Sequence, residues 1–104
     1  MAEIVWTEPA LLDLEEIAEY IALDKYTAAQ KLVEKVFSTV ERLELFPKSG
    51  RIPPELENSR YRELIIEPCR VFYRIEDDYV YILYVMRGER ELRNYILENR
   101  VSVT

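Results

Sequence analysis

Two arginines and a phenylalanine alternate along one stretch of the chain, where Val71 and Tyr73 separate Arg70, Phe72 and Arg74. Because successive side chains of a β-strand point to opposite faces of a sheet, this spacing predicts that the two guanidinium groups and the phenyl ring share one face. A guanidinium group forms paired, charge-assisted hydrogen bonds with carboxylates and phosphates. We therefore expect this stretch to recognise an anionic or polar partner.

More arginines flank this stretch on both sides. Arg60 and Arg62 lie at the strand predicted before it, and Arg87 and Arg90 follow the strand predicted after it. An antiparallel arrangement of these strands would bring several guanidinium groups together. The alternative is that each arginine pairs with a neighbouring Glu or Asp, and the spacing alone does not decide between the two arrangements.

The composition excludes several kinds of catalytic site. The chain has no histidine and a single cysteine, Cys69, so it lacks the residues for serine–histidine or cysteine–histidine catalysis and for the usual zinc and haem ligand sets. Its carboxylates are mostly scattered over helical faces, where solvation explains them. We therefore assign no metal and no cofactor. Because one cysteine cannot form an intrachain disulfide, we interpret Cys69 as a buried thiol in a reducing compartment.

The charge is divided unevenly along the chain. The net charge is −6, and residues 1–46 carry ten acidic side chains against four basic ones. The remainder of the chain is neutral, and nine of its ten basic residues are arginine. Arginines that are distant in sequence can still form a local positive surface in the folded chain, so the net acidity does not exclude an anionic partner.

The length and the apolar content favour a single core. A chain of 104 residues, of which 49% are hydrophobic, leaves little room for a second domain, and we predict one domain over residues 1–104. The N-terminus lacks the basic and apolar segments of a signal peptide. No apolar run approaches the roughly 20 residues that span a membrane, so we expect a cytoplasmic protein.

The first half of the sequence predicts a strand and two helices. Residues 3–6 form a short β-type run, and Thr7 suits the cap of a helix that extends to about Ala22. Apolar residues at steps of three and four give this helix one apolar and one acidic face. Asp24 is predicted to cap a second helix, whose apolar stripe continues to Leu43. The short link between them makes the pair an antiparallel hairpin.

The second half predicts a sheet. Proline and glycine in residues 46–54 predict a loop that crosses back over the core. Residues 61–66, 70–75 and 79–86 are rich in β-branched and aromatic side chains and predict three antiparallel strands, and residues 89–97 predict a short C-terminal helix. The predicted fold class is α+β, with the helical hairpin on one face of a mainly antiparallel sheet and an open concave surface on the other. The residues expected to be buried include Leu14, Ile21, Leu32, Val36, Val40 and Tyr73.

Five short motifs follow one another along the chain. They are Trp6-Thr7 with Ala10 and Asp13-Leu14, Phe46-Pro47 with Gly50-Arg51, Tyr61-Arg62-Glu63-Leu64, Arg70-Val71-Phe72-Tyr73-Arg74-Ile75, and Val85-Met86-Arg87-Gly88-Glu89-Arg90. Together they resemble the RelE/ParE toxin superfamily over nearly the whole chain. The resemblance implies the growth-inhibiting toxin of a type II toxin-antitoxin operon, a plasmid stabilisation protein. A cognate antitoxin would neutralise it by wrapping over it.

The resemblance to RelE-like members is incomplete. These toxins cut messenger RNA in the ribosome without a metal, and Arg70 falls where they keep a catalytic arginine. Arg87 or Gly88 falls near their second catalytic arginine, and Tyr95 lies one residue from the position of their catalytic tyrosine. Their paired lysines are missing here, with only arginines near that place. Arginine cannot act as a general base near neutral pH, which weakens the nuclease interpretation.

The resemblance to ParE-like members, which poison DNA gyrase, is closer. It rests on Phe46-Pro47 and on the motif at residues 61–64, although many ParE-like chains have histidine where Met86 or Arg87 stands. We favour this interpretation over a RelE-like one. A diverged toxin that only sequesters antitoxin is a third alternative. An inactive interaction module that binds an acidic peptide through exposed arginines is an alternative of another class.

These interpretations fix the expected partners and site. The partners are the cognate antitoxin and either DNA gyrase or the ribosome with its mRNA, in a homodimer or a toxin-antitoxin hetero-oligomer. The predicted target-binding residues are Arg60, Arg62, Arg70, Phe72, Arg74, Arg87, Arg90 and Tyr95. The candidates for a catalytic role are Arg70, Arg87 and Arg90.

Overall fold

The computed structural model describes residues 1–88 together with Leu97 and Arg100. The elements in chain order are β1 (Glu3–Trp6), α1 (Glu8–Ala22), α2 (Tyr26–Glu41), β2 (Tyr61–Ile66), β3 (Cys69–Glu76) and β4 (Tyr79–Arg87). Two single turns of 3₁₀ helix, Arg42–Glu44 and Pro54–Leu56, lie between α2 and β2. The predicted α+β class is confirmed. The helix predicted over residues 89–97 lies outside the described residues, except for Leu97.

The four strands form one sheet in the order β1-β4-β3-β2. The strands β2, β3 and β4 are antiparallel neighbours, as predicted. A tight turn at Asp77 and Asp78 joins β3 to β4, and Asp77 has a φ of 53°, a left-handed angle that aspartate tolerates better than most residues. The N-terminal strand β1 runs parallel to β4 and forms one edge of the sheet.

The main core lies between the helices and one face of the sheet. Val36 and Val40 of α2 are buried in one cluster with Leu14 of α1 and with Val71 and Tyr73 of β3. The side chains of α2 at intervals of four residues therefore form the apolar stripe that the sequence predicts. Among the residues predicted to be buried, Leu14, Leu32, Val36, Val40 and Tyr73 are buried and Ile21 is half-buried.

Two predicted helix caps are wrong in their details. Thr7 holds the N-cap position of α1, as predicted, but its buried hydroxyl donates a 2.7 Å hydrogen bond to the carbonyl of Ile82 and makes no cap bond. This bond ties the start of α1 to β4. Asp24 does not cap α2, because its backbone N–H and that of Lys25 both donate to the Ile21 carbonyl and so complete the last turn of α1.

The face of the sheet opposite the helices is covered around Phe72. The prediction of an open concave surface is therefore wrong for this part of the sheet. Phe72 is buried there, with Leu97 from near the C-terminus, and Leu56 of the second 3₁₀ turn packs against the same cluster. The sequence indicates correctly which side chains point to this face but not what lies over it. The cluster consists of Tyr61, Phe72, Leu83, Met86 and Leu97.

A β-bulge in β4 helps to build this second cluster. Phe72 is paired with Tyr84, and Tyr73 with Ile82, so Leu83 is the extra residue. A bulge of this kind interrupts the alternation of side chains. Leu83 and Tyr84 consequently both contribute to the second cluster, although they are consecutive in the chain.

Within the described part of the chain, neither helix is long and apolar enough to cross a membrane.

Candidate functional site

Arg70 lies near the start of β3, on the face of the sheet opposite the helices. It is paired with Ile65 on one side and Met86 on the other, and 9% of its side-chain surface is exposed. Its guanidinium group lies 5.0 Å from the centre of the Phe72 ring, which confirms that these two residues share a face. Neighbouring strands on both sides therefore fix the position of the Arg70 backbone.

Two carboxylates hold the Arg70 guanidinium group. Its Nε and Nη2 donate hydrogen bonds of 2.6 and 3.0 Å to Glu63, a residue of β2 with a fully buried side chain. Its Nη1 and Nη2 each donate a 2.8 Å hydrogen bond to Glu55 in the second 3₁₀ turn. The side chain of Glu55 is 25% exposed. Arg70 is thus held bidentately along two different edges.

Arg51 joins the same cluster from the loop before β2. Its Nε donates a 3.1 Å hydrogen bond to Glu63, and the backbones of these two residues exchange hydrogen bonds of 3.1 and 2.8 Å. The loop therefore adds one bridge to the outer edge of β2. Glu63, between two guanidinium groups, satisfies the general requirement that a buried charge be paired and hydrogen-bonded.

The carboxylates also determine the protonation of Arg70. The hydrogen bonds that Arg70 donates to Glu55, and then those it donates to Glu63, raise the pKa of Arg70 above its ordinary value, while burial acts in the opposite direction. The guanidinium group consequently stays charged across the accessible pH range and cannot accept a proton from a substrate.

Gly50 allows the loop to approach the sheet closely. Its N–H donates a 2.9 Å hydrogen bond to the Tyr73 hydroxyl, which in turn donates to the Pro47 carbonyl at 2.7 Å. A Cβ atom at this position would lie 2.5 Å from the Tyr73 hydroxyl and 2.7 Å from the Glu63 carbonyl oxygen. Burial raises the pKa of Tyr73, although the Gly50 hydrogen bond opposes this effect. The uncharged Tyr73 hydroxyl therefore holds the loop against the sheet through these two hydrogen bonds.

The other predicted arginines that the structure describes are not gathered around Arg70. Arg62 is paired with Tyr73, whose side chain faces the helices, and its Nη1 donates to the carbonyls of Lys48 and Gly50 at 3.2 and 2.7 Å. Arg60 lies over the ring of Tyr61 at 5.6 Å. These two arginines hold positions near the start of β2 and do not extend the Arg70 cluster.

Arg74 and Arg87 also have local partners. Arg74 is buried, forms an ion pair with Glu76 and lies 5.6 Å from the centre of the Tyr81 ring. Arg87 lies 5.2 Å from the centre of the Tyr20 ring. The expectation that Arg74 is exposed is therefore wrong, because its strand is covered on both faces. The remaining two predicted site residues, Arg90 and Tyr95, lie outside the described residues.

Sequence reasoning missed the acidic members of the cluster. The sequence does contain an indication of the role of Glu63, because this residue shares one face of β2 with Tyr61 and Ile65. An acidic residue on a strand face that carries apolar side chains indicates a buried partner of opposite charge. Glu55 carries no comparable signal, since the loop that holds it has no regular period.

A further ion pair lies beside the part of β4 that extends beyond the end of β1. Arg100 forms an ion pair with Asp13 of α1, donates a 3.1 Å hydrogen bond to the Leu83 carbonyl and lies 4.5 Å from the centre of the Tyr84 ring. Asp13 also accepts a 3.0 Å hydrogen bond from the Val85 N–H. Because β1 ends before this part of β4, these side chains bind backbone groups that β1 does not reach.

An apolar groove runs between α1 and α2. It has a volume of about 330 Å³ and a floor of small residues, with two glutamates at its rim. The lining residues are Ala18, Glu19, Ala22, Tyr26, Ala29, Gln30, Val33 and Glu34. Among the described residues, no three His, Cys, Asp or Glu side chains are grouped so that they could hold a metal ion.

Comparisons with known proteins place this fold among bacterial toxins. Residues 4–92 match the family described as the ParE toxin of the type II toxin-antitoxin system parDE. Toxin RelE2 of Caulobacter vibrioides is 33% identical over 91 residues, which cover 86% of this chain and 99% of that protein.

Two solved structures have the same fold. The chromosomal ParDE toxin-antitoxin system of P. aeruginosa contains a chain that is 28% identical, with a TM-score of 0.71 and coverage of 86% of this chain and 98% of that one. The YoeB dimer of Staphylococcus aureus matches at 16% identity and a TM-score of 0.53 over 80% and 92% of the two chains, a likeness of fold alone. With a family match over most of its length, the chain belongs to the ParE toxin family of type II toxin-antitoxin systems.

Proposed function

We propose that this toxin poisons a protein target, DNA gyrase, and does not cut messenger RNA. The observation that carries the proposal is the occupation of Arg70 by Glu63 and Glu55. An arginine that stabilises charge on a scissile phosphate must present its N–H groups to that phosphate. Here the edge formed by Nε and Nη2 is fixed to the buried carboxylate of Glu63, and the other edge is bound by Glu55 in the free toxin.

The position of Glu63 supports the same conclusion. A general base must come within hydrogen-bonding distance of the proton that it removes. The side chain of Glu63 is fully buried between Arg51 and Arg70, so its oxygens cannot reach a substrate. The burial of Arg70 and Arg74 also weakens the alternative of an adaptor module that binds acidic peptides through exposed arginines of β3.

The test compares the two targets directly. The purified toxin should inhibit supercoiling by gyrase and trap gyrase-cleaved DNA, while messages translated in the presence of the toxin stay intact when their ends are mapped by primer extension. Cleavage of translated messages at fixed codon positions, abolished by Arg70→Ala, would instead establish the RelE-like activity. Growth arrest with neither response would overturn the assignment of gyrase.

We also propose that the cognate antitoxin places an amphipathic helix in the groove between α1 and α2. The small side chains of Ala18, Ala22 and Ala29 allow close approach of an apolar helix face. Glu19 and Glu34 at the rim favour lysine or arginine on the antitoxin, because complementary charges steer association and fix the register of an interface.

Charge reversal at the rim should weaken this complex. Glu19→Lys combined with Glu34→Lys should raise the Kd for the antitoxin by about tenfold at low salt, and the difference should shrink as salt screens the charges. The matched control, Glu41→Lys with Glu57→Lys, reverses two exposed charges away from the groove and should leave the Kd unchanged. Titration calorimetry at two salt concentrations measures both. An equal loss in both variants would contradict docking in this groove.

A further inference from the structure

The two edges of the Arg70 guanidinium group differ in accessibility. The edge formed by Nε and Nη2 faces Glu63, whose side chain is fully buried. The edge formed by Nη1 and Nη2 faces Glu55, whose side chain is partly exposed. The inner carboxylate thus belongs to the sheet, whereas the outer one belongs to a loop.

The turn that carries Glu55 is short and lies at the surface. Pro54–Leu56 is a single 3₁₀ turn, and the following residue, Glu57, is exposed. Leu56 is the residue of this turn that packs against the second apolar cluster. Holding such a loop in one conformation costs entropy, which offsets part of the attraction between Glu55 and Arg70. Exchange of Glu55 for another carboxylate leaves the hydrogen bonds of the strands in place.

A pocket of about 360 Å³ opens beside this outer edge. It offers a path to Arg70 past Arg51, whose side chain is largely exposed. Apolar surface beside the guanidinium groups suits the hydrocarbon stem of an acidic side chain, and Glu67 is the one further carboxylate that the described residues contribute to the lining. The lining residues are Arg51, Pro54, Glu55, Ile65, Glu67, Cys69, Arg70 and Gly88.

We propose that the outer edge of Arg70 is a binding site for an acidic side chain of the target protein, and that Glu55 occupies this site in the free toxin. The internal ligand is a planar carboxylate held by two parallel hydrogen bonds, the geometry that a guanidinium fork matches best. This inference rests on the proposed function, because it specifies the chemistry of the contact with a protein target.

Removing Glu55 should open the site to a small carboxylate. Glu55→Ala should bind acetate at least about tenfold tighter than the unaltered protein, because acetate no longer competes with a tethered carboxylate. NMR signals of the Arg70 guanidinium group follow the titration at constant ionic strength, with chloride as the balancing anion. The Nε–H signal, which depends on the hydrogen bond to Glu63, should persist and show that the inner edge is intact.

Two variants and one other anion complete the experiment. Glu57→Ala removes an exposed charge from the same loop and should bind acetate as the unaltered protein does. Adding Arg70→Lys to Glu55→Ala should abolish the gain, which is followed here through the backbone amide signals of residues 51–56 because this variant has no guanidinium group at position 70. Equal acetate affinity with and without Glu55 would overturn the proposal, as would loss of the Nε–H signal. If Glu55→Ala bound inorganic phosphate more tightly than the unaltered protein but did not bind acetate more tightly, the proposal of an acidic side chain would be wrong and the ligand of the site would be a phosphate. Because these titrations use the toxin alone, their failure is distinct from a negative gyrase assay.

Discussion

Val36→Asp should leave the chain unfolded at room temperature. Val36 has no exposed surface and lies in the main core between α2 and the sheet. The substitution loses roughly 1.5–3 kcal/mol of side-chain burial, and placing an unpaired carboxylate in the core costs several kcal/mol more. The free energy of unfolding of a domain of this size is about 5–15 kcal/mol, so most of it is lost. Circular dichroism and urea unfolding measure the effect.

Gln30→Asp is the matched control for this substitution. It introduces the same charge on the same helix at an exposed position, and an exposed substitution of this kind changes stability by about 0.5 kcal/mol or less. A Val36→Asp variant with the unfolding midpoint of this control would contradict the packing of α2 against the sheet.

The helices and antiparallel strands could be predicted because their signals are local. The apolar period of α2 requires one buried face, and Asp77 and Asp78 favour a tight turn whatever the rest of the chain does. The position of β1 could not be predicted in this way. A strand of four residues carries no local signal that selects β4 as its parallel neighbour, because that choice depends on contacts between residues far apart in sequence.

The candidate site was predicted in part for the same reason. Strand alternation correctly placed Arg70 and Phe72 on one face. Whether this face is open depends on the loop before β2 and on Leu97, which approach it from distant parts of the sequence. Arg70 and Glu55 are 15 residues apart in the chain, and no periodic pattern predicts that they pair. The sequence therefore does not distinguish a buried structural arginine from an exposed arginine that binds a partner.

Three of the contacts that hold the loop before β2 belong to one arrangement. The Tyr73 hydroxyl binds it beside Gly50, the backbone of Arg51 pairs with Glu63, and Arg70 binds Glu55 at its far end. Glu63 is central, because its backbone forms the bridge and its carboxylate binds both guanidinium groups. We call Glu63 together with Arg51 and Arg70 the clamp. The clamp fixes the loop over the covered face of the sheet, so a substitution of Glu63 or Arg70 should have the largest effect on stability among the residues of this cluster.

Glu63→Leu should destabilise the protein by about 3–5 kcal/mol, because it leaves the buried Arg70 without its inner carboxylate. Arg70→Met should have a comparable effect, since it leaves the fully buried Glu63 with Arg51 as its remaining guanidinium partner. Replacing both charges by apolar groups of similar volume removes the unpaired charge, and such double replacements are often close to neutral. The double variant should therefore be more stable than the sum of the single effects predicts, by about 2 kcal/mol or more.

Urea unfolding of the four proteins in this cycle measures that coupling, and Glu57→Leu, at an exposed site in the same loop, controls for the loss of one negative charge. Additive effects would show that Glu63 and Arg70 contribute to stability independently, which contradicts a buried clamp. The dependence of the free energy of unfolding on urea concentration reports the surface exposed on unfolding. If this dependence is the same in all four proteins, a large coupling free energy comes from the ion pair in the native state. Arg70 would then be a structural residue on its Glu63 side, and only its Glu55 side would remain for a partner.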